Sequence, residues 1–95
     1  MNKYESIVIM NPSLDENVIG ELTKKFEDLI STLGKVEDVT VMGKRRLAYE
    51  INKLKEGHYV IYTFNAEPNS IVELERNYRI TDGVIKFITI RKEDD

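Results

Sequence analysis

The chain has 95 residues, 41% of them hydrophobic and 33% charged, with a net charge of −3 at pH 7. This length and composition predict one globular domain and argue against wholesale disorder. The absence of cysteine excludes disulfides and cysteine-ligated zinc. No apolar run approaches a membrane-spanning length and the first residues lack a signal-peptide core, so we expect a cytoplasmic protein.

The first predicted strand runs from Lys3 to Met10. Val8 and Met10 would lie on one face, and Ile7 and Ile9 on the other. A strand with apolar side chains on both faces is typical of the interior of a sheet. We therefore expect this strand to be central.

A long amphipathic helix follows the break at Asn11-Pro12. Ser13 and Glu16 match a capping box at its start. Gly34 is expected to end it as a left-handed cap. The apolar stripe of this helix consists of Val18, Ile19, Leu22, Phe26, Leu29, Ile30 and Leu33.

The next extended segment, residues 36–52, contains the run Gly43-Lys44-Arg45-Arg46-Leu47-Ala48-Tyr49-Glu50-Ile51-Asn52. Gly43 is compatible with a bulge in one long strand or with a turn between two strands. Beyond Gly43, apolar and polar or small residues alternate with a period of two, as in a strand with one buried face. This pattern predicts that Leu47 and Tyr49 anchor the segment in the core.

Basic residues are concentrated in this same segment. Residues 44–55 carry a net charge of +4, whereas residues 14–33 carry −3. Such an asymmetry would orient the molecule on an anionic partner. Lys44, Arg45 and Arg46 are of the types that supply most phosphate contacts, although a solvated turn is the alternative interpretation.

The second half of the chain predicts a strand, a helix and a strand. Polar residues 52–57 predict a turn, and residues 58–64 predict a strand. Pro68 or Ser70 would begin the second helix, and residues 84–90 predict the last strand. Residues 91–95 are expected to form a charged, flexible tail.

The element order β-α-β-β-α-β predicts a ferredoxin-like α+β fold, with a four-stranded antiparallel sheet and two helices on one face. The other face would then present large apolar side chains, and leaving each in water would forgo roughly 1.5–3 kcal/mol. Such a face favours a docking surface for protein or RNA, unless short loops or an oligomer contact cover it. Its predicted members are Ile7, Ile9, Tyr59, Ile61, Ile88 and Ile90.

Catalytic chemistry finds little support in the sequence. His58 is the only histidine, and a structural role is favoured for it. No glycine-rich phosphate loop follows the first strand. RNA-recognition domains share the predicted topology, but residues 56–63 lack their aromatic signature. Tyr59 could stack one base, although contact with phosphates and RNA shape fits the sequence better.

The run from Gly43 to Asn52 resembles the Gly-basic-basic-x-Leu-Ala-Tyr-x-Ile pattern of the bacterial small-subunit ribosomal protein S6 family. Asn11-Pro12 before the long helix and Arg79-Ile80 with Asp82-Gly83-Val84 before the last strand are also similar. The resemblance covers nearly the whole chain.

This resemblance implies a non-catalytic component of the 30S subunit that binds the central domain of 16S rRNA together with ribosomal protein S18, without a cofactor. The residues expected to bind RNA are Lys44, Arg45, Arg46, Lys86 and Lys3. Tyr59 and Ile61 are the expected contacts with the partner protein. The alternative is a ferredoxin-like regulatory module that binds a small ligand and dimerises through its sheet.

Overall fold

Four strands and two helices make up most of residues 1–92, the part of the chain described by the computed structural model. The elements are β1 Asn2–Met10, α1 Glu16–Leu33, β2 Gly34–Ile51, β3 Leu54–Ala66, α2 Ser70–Ile80 and β4 Val84–Lys92. The sheet order is β2-β3-β1-β4 and all neighbours are antiparallel. The ferredoxin-like α+β prediction is confirmed, and β1 is central as predicted.

The core lies between the two helices and one face of the sheet. Val8 and Met10 of β1 are fully buried there, in contact with the inward residues of β3. Val18 does not belong to this core, since its side chain is 37% exposed. The other buried members are Tyr4, Ile19, Phe26, Ile30, Val60, Tyr62, Phe64, Ala66, Leu74 and Tyr78.

Two phenol groups are buried within this core. The Tyr62 hydroxyl donates a hydrogen bond to the carbonyl oxygen of Thr23 at 2.9 Å, and Tyr78 packs edge-on against Phe26. Burial raises the pKa of Tyr62 and of Tyr78 above the usual tyrosine value. The folded chain therefore holds both protons more tightly than the unfolded chain does.

This difference predicts a loss of stability in alkali. The two neutral phenols contribute their full stabilisation below the unfolded-state pKa of about 10. As the pH rises above this value, the free energy of unfolding should fall by about 1.4 kcal/mol per pH unit for each tyrosine. Urea denaturation across this pH range measures the slope. Tyr62→Phe should reduce the slope. Equal slopes for Tyr62→Phe and the wild type would contradict the assignment.

The predicted N-cap of α1 is wrong, and Gly34 ends the helix as predicted but not in the left-handed conformation. Asp15 caps the helix, since its Oδ1 accepts a hydrogen bond from the Asn17 N–H at 2.7 Å, while the Ser13 hydroxyl donates to Asn11 Oδ1. Gly34 has an extended backbone, with φ of −175°, and it begins β2. Glycine is required at this position because a Cβ would overlap the carbonyl oxygen of Asn65 on β3.

Gly34→Ala is therefore expected to destabilise the protein by about 1–3 kcal/mol, because the backbone of β3 must move to admit the methyl group. Gly20→Ala is the matched control. A Cβ at Gly20 meets nothing within 4 Å, and replacing an exposed glycine inside a helix should stabilise by roughly 0.5–1 kcal/mol. Chemical denaturation measures both changes, and a neutral Gly34→Ala would contradict the close approach.

The segment from Gly34 to Ile51 is one bulged strand, which decides between the two interpretations of Gly43. Gly43 has φ of +78° and lies where the register with β3 shifts. A larger break follows, because Arg46 pairs with Glu56 but Ile51 pairs with Leu54. Four residues of β2 thus face a single residue of β3, and the alternation of faces is not maintained there.

A two-residue turn closes the hairpin between β2 and β3. Asn52 and Lys53 both have left-handed backbones, with φ of 50° and 66°, as in the turns that match the twist of paired strands. The turn predicted over residues 52–57 is therefore shorter than expected.

At the C-terminal end, β4 continues through Lys92. Residues 91–92 are therefore not part of the predicted tail, and residues 93–95 lie outside the described residues.

Candidate nucleic-acid interface

The end of the β2–β3 hairpin, residues 43–58, carries most of the predicted RNA-binding cations, and we call it the basic hairpin. The strand β2 is at the edge of the sheet, so this segment is accessible from both sides. None of its cations forms an ion pair within residues 1–92. These cations are Lys44, Arg45, Arg46, Lys53 and Lys55.

The register places the three consecutive cations on alternate sides of this edge. Lys44 pairs with His58, which lines a groove beside α1, so Lys44 lies on the helical side. Arg45 pairs with Gly57. A Cβ added at Gly57 would meet the side chain of Ile9, which lies on the opposite face. Cross-strand partners share a face, so Arg45 lies on the face without helices, which we call the open face.

Of the two supporting cations, only Lys86 lies near the basic hairpin. Lys86 pairs with Ile9 at the hairpin end of the sheet. Lys3 is six residues earlier on β1, roughly 20 Å away along the strand, and its ammonium group is 3.2 Å from a carboxylate oxygen of Glu37. Lys86, but not Lys3, therefore lies at the same end of the sheet as the hairpin cations, although on the opposite edge strand.

The open face differs in charge between its two ends. At the end distant from the hairpin, Lys3 pairs with Glu37 and Lys92 lies 3.2 Å from Glu5. A hydrogen bond from Asn65 at 2.8 Å, together with Lys3, lowers the pKa of Glu37. Cations at this end are matched by carboxylates. The hairpin end presents Arg45 and Lys86 without such partners among the described residues.

Leu47 is buried, as predicted, but Tyr49 is not. Leu47 is only 9% exposed and lies over Gly57, whereas Tyr49 is 82% exposed. The expectation that Tyr49 anchors the core is therefore wrong. Both residues lie in the register break between Arg46 and Ile51, where β2 is not paired regularly with β3.

Apolar side chains form a continuous patch on the open face. Ile7 pairs with Ile61 on one side and Ile88 on the other. Ile88 and Ile90 are 50% and 44% exposed. The patch predicted from the sequence is therefore present in part, because its predicted member Ile9 is buried. Ile61, one of the expected partner contacts, lies within the patch. The other, Tyr59, pairs with Ile9, which is 7% exposed because Leu47 and Gly57 cover that end.

A pocket of about 260 Å³ lies where the basic hairpin meets this patch. The side chains around it come from all four strands, and the sequence pattern did not predict it. Four of its lining residues belong to the irregular end of β2, Leu47, Ala48, Tyr49 and Ile51. The lining residues are Ile7, Ile9, Leu47, Ala48, Tyr49, Ile51, Tyr59, Lys86 and Ile88.

Other kinds of site have no basis within residues 1–92. No cluster of three or more histidine, aspartate and glutamate side chains there could hold a metal ion. The Nε2 atom of His58 is buried without a hydrogen-bond partner in the described part of the chain. No helix in that part is long and apolar enough to cross a membrane.

Sequence comparison places the chain beside small-subunit ribosomal proteins. The family model described as Ribosomal protein S6 matches residues 3–91. The small ribosomal subunit protein bS6 of Clostridium kluyveri is 48% identical over 94 residues, which cover 98% of this chain and 99% of the relative. The bS6 protein of an Exiguobacterium species is 47% identical over the same coverage.

Comparison with solved structures also points to a small-subunit ribosomal protein. The crystal structure of 30S ribosomal protein S6 from Thermotoga maritima matches with a TM-score of 0.91 and 34% sequence identity. The match covers 96% of this chain and 87% of the Thermotoga chain. Sequence and structure comparisons thus agree over nearly the full length.

Proposed function

Because the chain belongs to the ribosomal protein S6 family and is a non-enzymatic structural component of the small ribosomal subunit, we propose that it binds the central domain of 16S rRNA together with ribosomal protein S18. Family membership agrees with the cytoplasmic location predicted from the sequence. The proposal assigns the RNA contacts to the basic hairpin and the protein contacts to the apolar patch of the open face.

The observation that carries the proposal is the set of cations in the basic hairpin that form no ion pair with any described residue. An arginine can hold two phosphate oxygens at once through parallel hydrogen bonds. Arg45 and Arg46 lie on opposite sides of an edge strand, as deduced from their pairing with Gly57 and Glu56. The hairpin can therefore contact phosphates on both of its sides.

The apolar patch supports the role of a protein partner. Ile88 and Ile90 are about half exposed, and Ile61 lies two strands away in the same row as Ile88. RNA-binding domains are usually basic overall, whereas this chain has a net charge of −3. A basic partner such as S18, docked on the patch, would supply the positive charge that this chain lacks.

The regulatory-module alternative accounts for less of the structure. A homodimer formed through the sheet would cover the apolar patch, but it would leave the basic hairpin without a function. Membership of a ribosomal family over residues 3–91 also favours the RNA-binding assignment.

Equilibrium binding to a transcribed central-domain fragment of 16S rRNA tests the proposal. We expect tight binding when this protein and S18 are both present, and weak binding of this protein alone. Size-exclusion chromatography of the two proteins should show a stable pair. Absence of RNA binding by the pair, together with a stable homodimer of this chain that retains a metabolite, would support the alternative instead.

A further inference from the structure

A second groove, of about 260 Å³, lies where the last turn of α2 meets the start of β4, and we call it the β4 corner. Its lining includes no member of the apolar patch, and Val72 on the exposed surface of α2 is not part of it. Only Lys86 also lines the pocket beside Tyr49. The β4 corner is thus separate from the surface assigned to the protein partner. Its lining residues are Tyr78, Arg79, Val84, Ile85, Lys86 and Phe87.

Arg79 is held at this corner by an aromatic ring. Its guanidinium carbon is 5.7 Å from the centroid of the Phe87 ring, which is within the range of a cation–π contact. Phe87 packs in turn against the fully buried Tyr78, with 5.4 Å between the two ring centroids. Because the ring beneath it is anchored, the guanidinium is already positioned before a ligand arrives, which lowers the entropic cost of binding.

The two cations of the β4 corner have no carboxylate partner in the described part of the chain. Arg79 and Lys86 are exposed, and neither forms an ion pair within residues 1–92. By contrast, Arg76, one turn earlier on α2, is 3.5 Å from Glu73. None of the lining residues is acidic. An anion fits this corner, and the planar fork of an arginine matches the oxygens of a phosphate.

The β4 corner lies at the same end of the sheet as the basic hairpin, on the opposite edge. Lys86 pairs with Ile9, and Ile9 pairs with Tyr59. Tyr59 pairs in turn with Gly43, the first residue of the basic hairpin. Three strand spacings, or roughly 14 Å, therefore separate the two edges. An RNA bound at the hairpin can reach the corner around a partner that is docked on the apolar patch.

We propose that the β4 corner is a second contact with the RNA backbone, in which Arg79 holds a phosphate and Lys86 neutralises the same stretch of backbone. The inference rests on the proposed RNA-binding function and extends it from one edge of the sheet to both. Arg79 was not among the residues that the sequence predicted to bind RNA. The ligand is a phosphate and not a stacked base, because Arg79 already lies over Phe87 and the other ring in the lining, Tyr78, is buried.

Substitutions at Arg79 test the contact, with binding to the 16S rRNA central-domain fragment measured in the presence of S18. Arg79→Gln should weaken binding about tenfold or more and lower the slope of log affinity against log salt concentration by about one. Arg79→Lys should keep the slope but bind more weakly than the wild type, because an ammonium group cannot hold two oxygens in parallel. Equal affinities of Arg79→Lys and the wild type would contradict this grip.

Lys25→Gln is the matched control. The ammonium group of Lys25 is exposed on α1 and lies 5.9 Å from the centroid of the Phe26 ring. This variant therefore loses the same charge and the same kind of ring contact as Arg79→Gln, but away from the β4 corner. It should bind the RNA with the affinity and salt dependence of the wild type.

Hydroxyl-radical probing of the RNA backbone supplies a direct readout. The wild type and Lys25→Gln should protect two separate stretches of backbone. Arg79→Gln should lose one of these protections, and Arg45→Ala should weaken the other. Urea denaturation verifies that each variant is folded under the conditions of binding.

The outcomes separate this inference from the proposed function. If Arg79→Gln binds RNA like the wild type while the variant without Arg45 and Arg46 binds weakly, the second contact is overturned and the proposed function stands. If neither variant changes binding, both fail. If Lys25→Gln lowers the salt slope as much as Arg79→Gln does, the effect reflects net charge and the inference is wrong. It is also wrong if Arg79→Gln weakens association with S18 in the absence of RNA, since the corner then belongs to the protein partner.

Discussion

Replacing both Arg45 and Arg46 with alanine is expected to weaken binding to 16S rRNA, measured with S18 present, by about 100-fold or more. Hydrogen bonds to charged groups contribute about 1.5–3 kcal/mol each, and the variant removes the two arginines that can hold phosphates bidentately. Both side chains are exposed and form no ion pair within residues 1–92, so the fold should be unaffected.

The salt dependence of binding makes this prediction specific. Removing one cation from a phosphate should reduce the slope of log affinity against log salt concentration by about one, and the double variant should therefore lower it by about two. Lys25→Ala with Arg76→Ala removes the same charge from the helical side of the sheet and is the matched control. An unchanged slope for the hairpin variant, or an equal reduction in the control, would contradict the phosphate-binding role.

Replacing Ile61 and Ile88 with glutamine is expected to weaken association with S18 by about 1,000-fold, or about 4 kcal/mol. Apolar anchors at the centre of an interface commonly cost 2 kcal/mol or more each when removed. These two side chains flank Ile7 in one row of the apolar patch. Glutamine would place a polar amide against the partner at both positions.

Isothermal titration calorimetry with purified S18 measures this effect without RNA. Val72→Gln with Ile80→Gln is the matched control, because both side chains are exposed apolar residues on α2, on the other side of the sheet. That variant should bind S18 like the wild type. If the Ile61 and Ile88 variant remains folded and binds S18 with unchanged affinity, the partner does not dock on the open face.

The central strands could be predicted from the sequence because their pattern is strong. Val60, Tyr62 and Phe64 alternate with Tyr59, Ile61 and Thr63, and the structure places the first three in the core as expected. Apolar side chains on both faces of β1 correctly indicated a position inside the sheet. These assignments depend only on the two-residue period of a strand, which local sequence encodes.

The ends of elements and the bulged hairpin could not be predicted in the same way. Gly34 ends α1, as its position predicts, but its small size is required by contact with Asn65, 31 residues later. Tyr49 continues an alternating pattern, but it lies in the segment where β2 has extra residues relative to β3, and its side chain is exposed. In both cases the decisive contact is between strands, and single-sequence patterns do not report it.

The candidate site also combines features that the local sequence predicts with features that depend on strand pairing. The cation cluster at 44–46 is a local feature and was identified from the sequence. Whether a distant lysine joins it depends on the strand register, which places Lys86 beside Ile9 but leaves Lys3 at the other end with Glu37. The pocket beside Tyr49 depends on all four strands and became apparent only in the folded chain.

Crosslinking of protein to RNA in purified small ribosomal subunits tests the central claim most directly. Ultraviolet irradiation followed by mass spectrometry would identify which peptides of this chain are joined to 16S rRNA. We expect crosslinks from residues 44–55 to the central domain, and none from the exposed surface of α2. Crosslinks confined to the helices, with the lysines of the basic hairpin fully accessible to acylation in the intact subunit, would contradict the account.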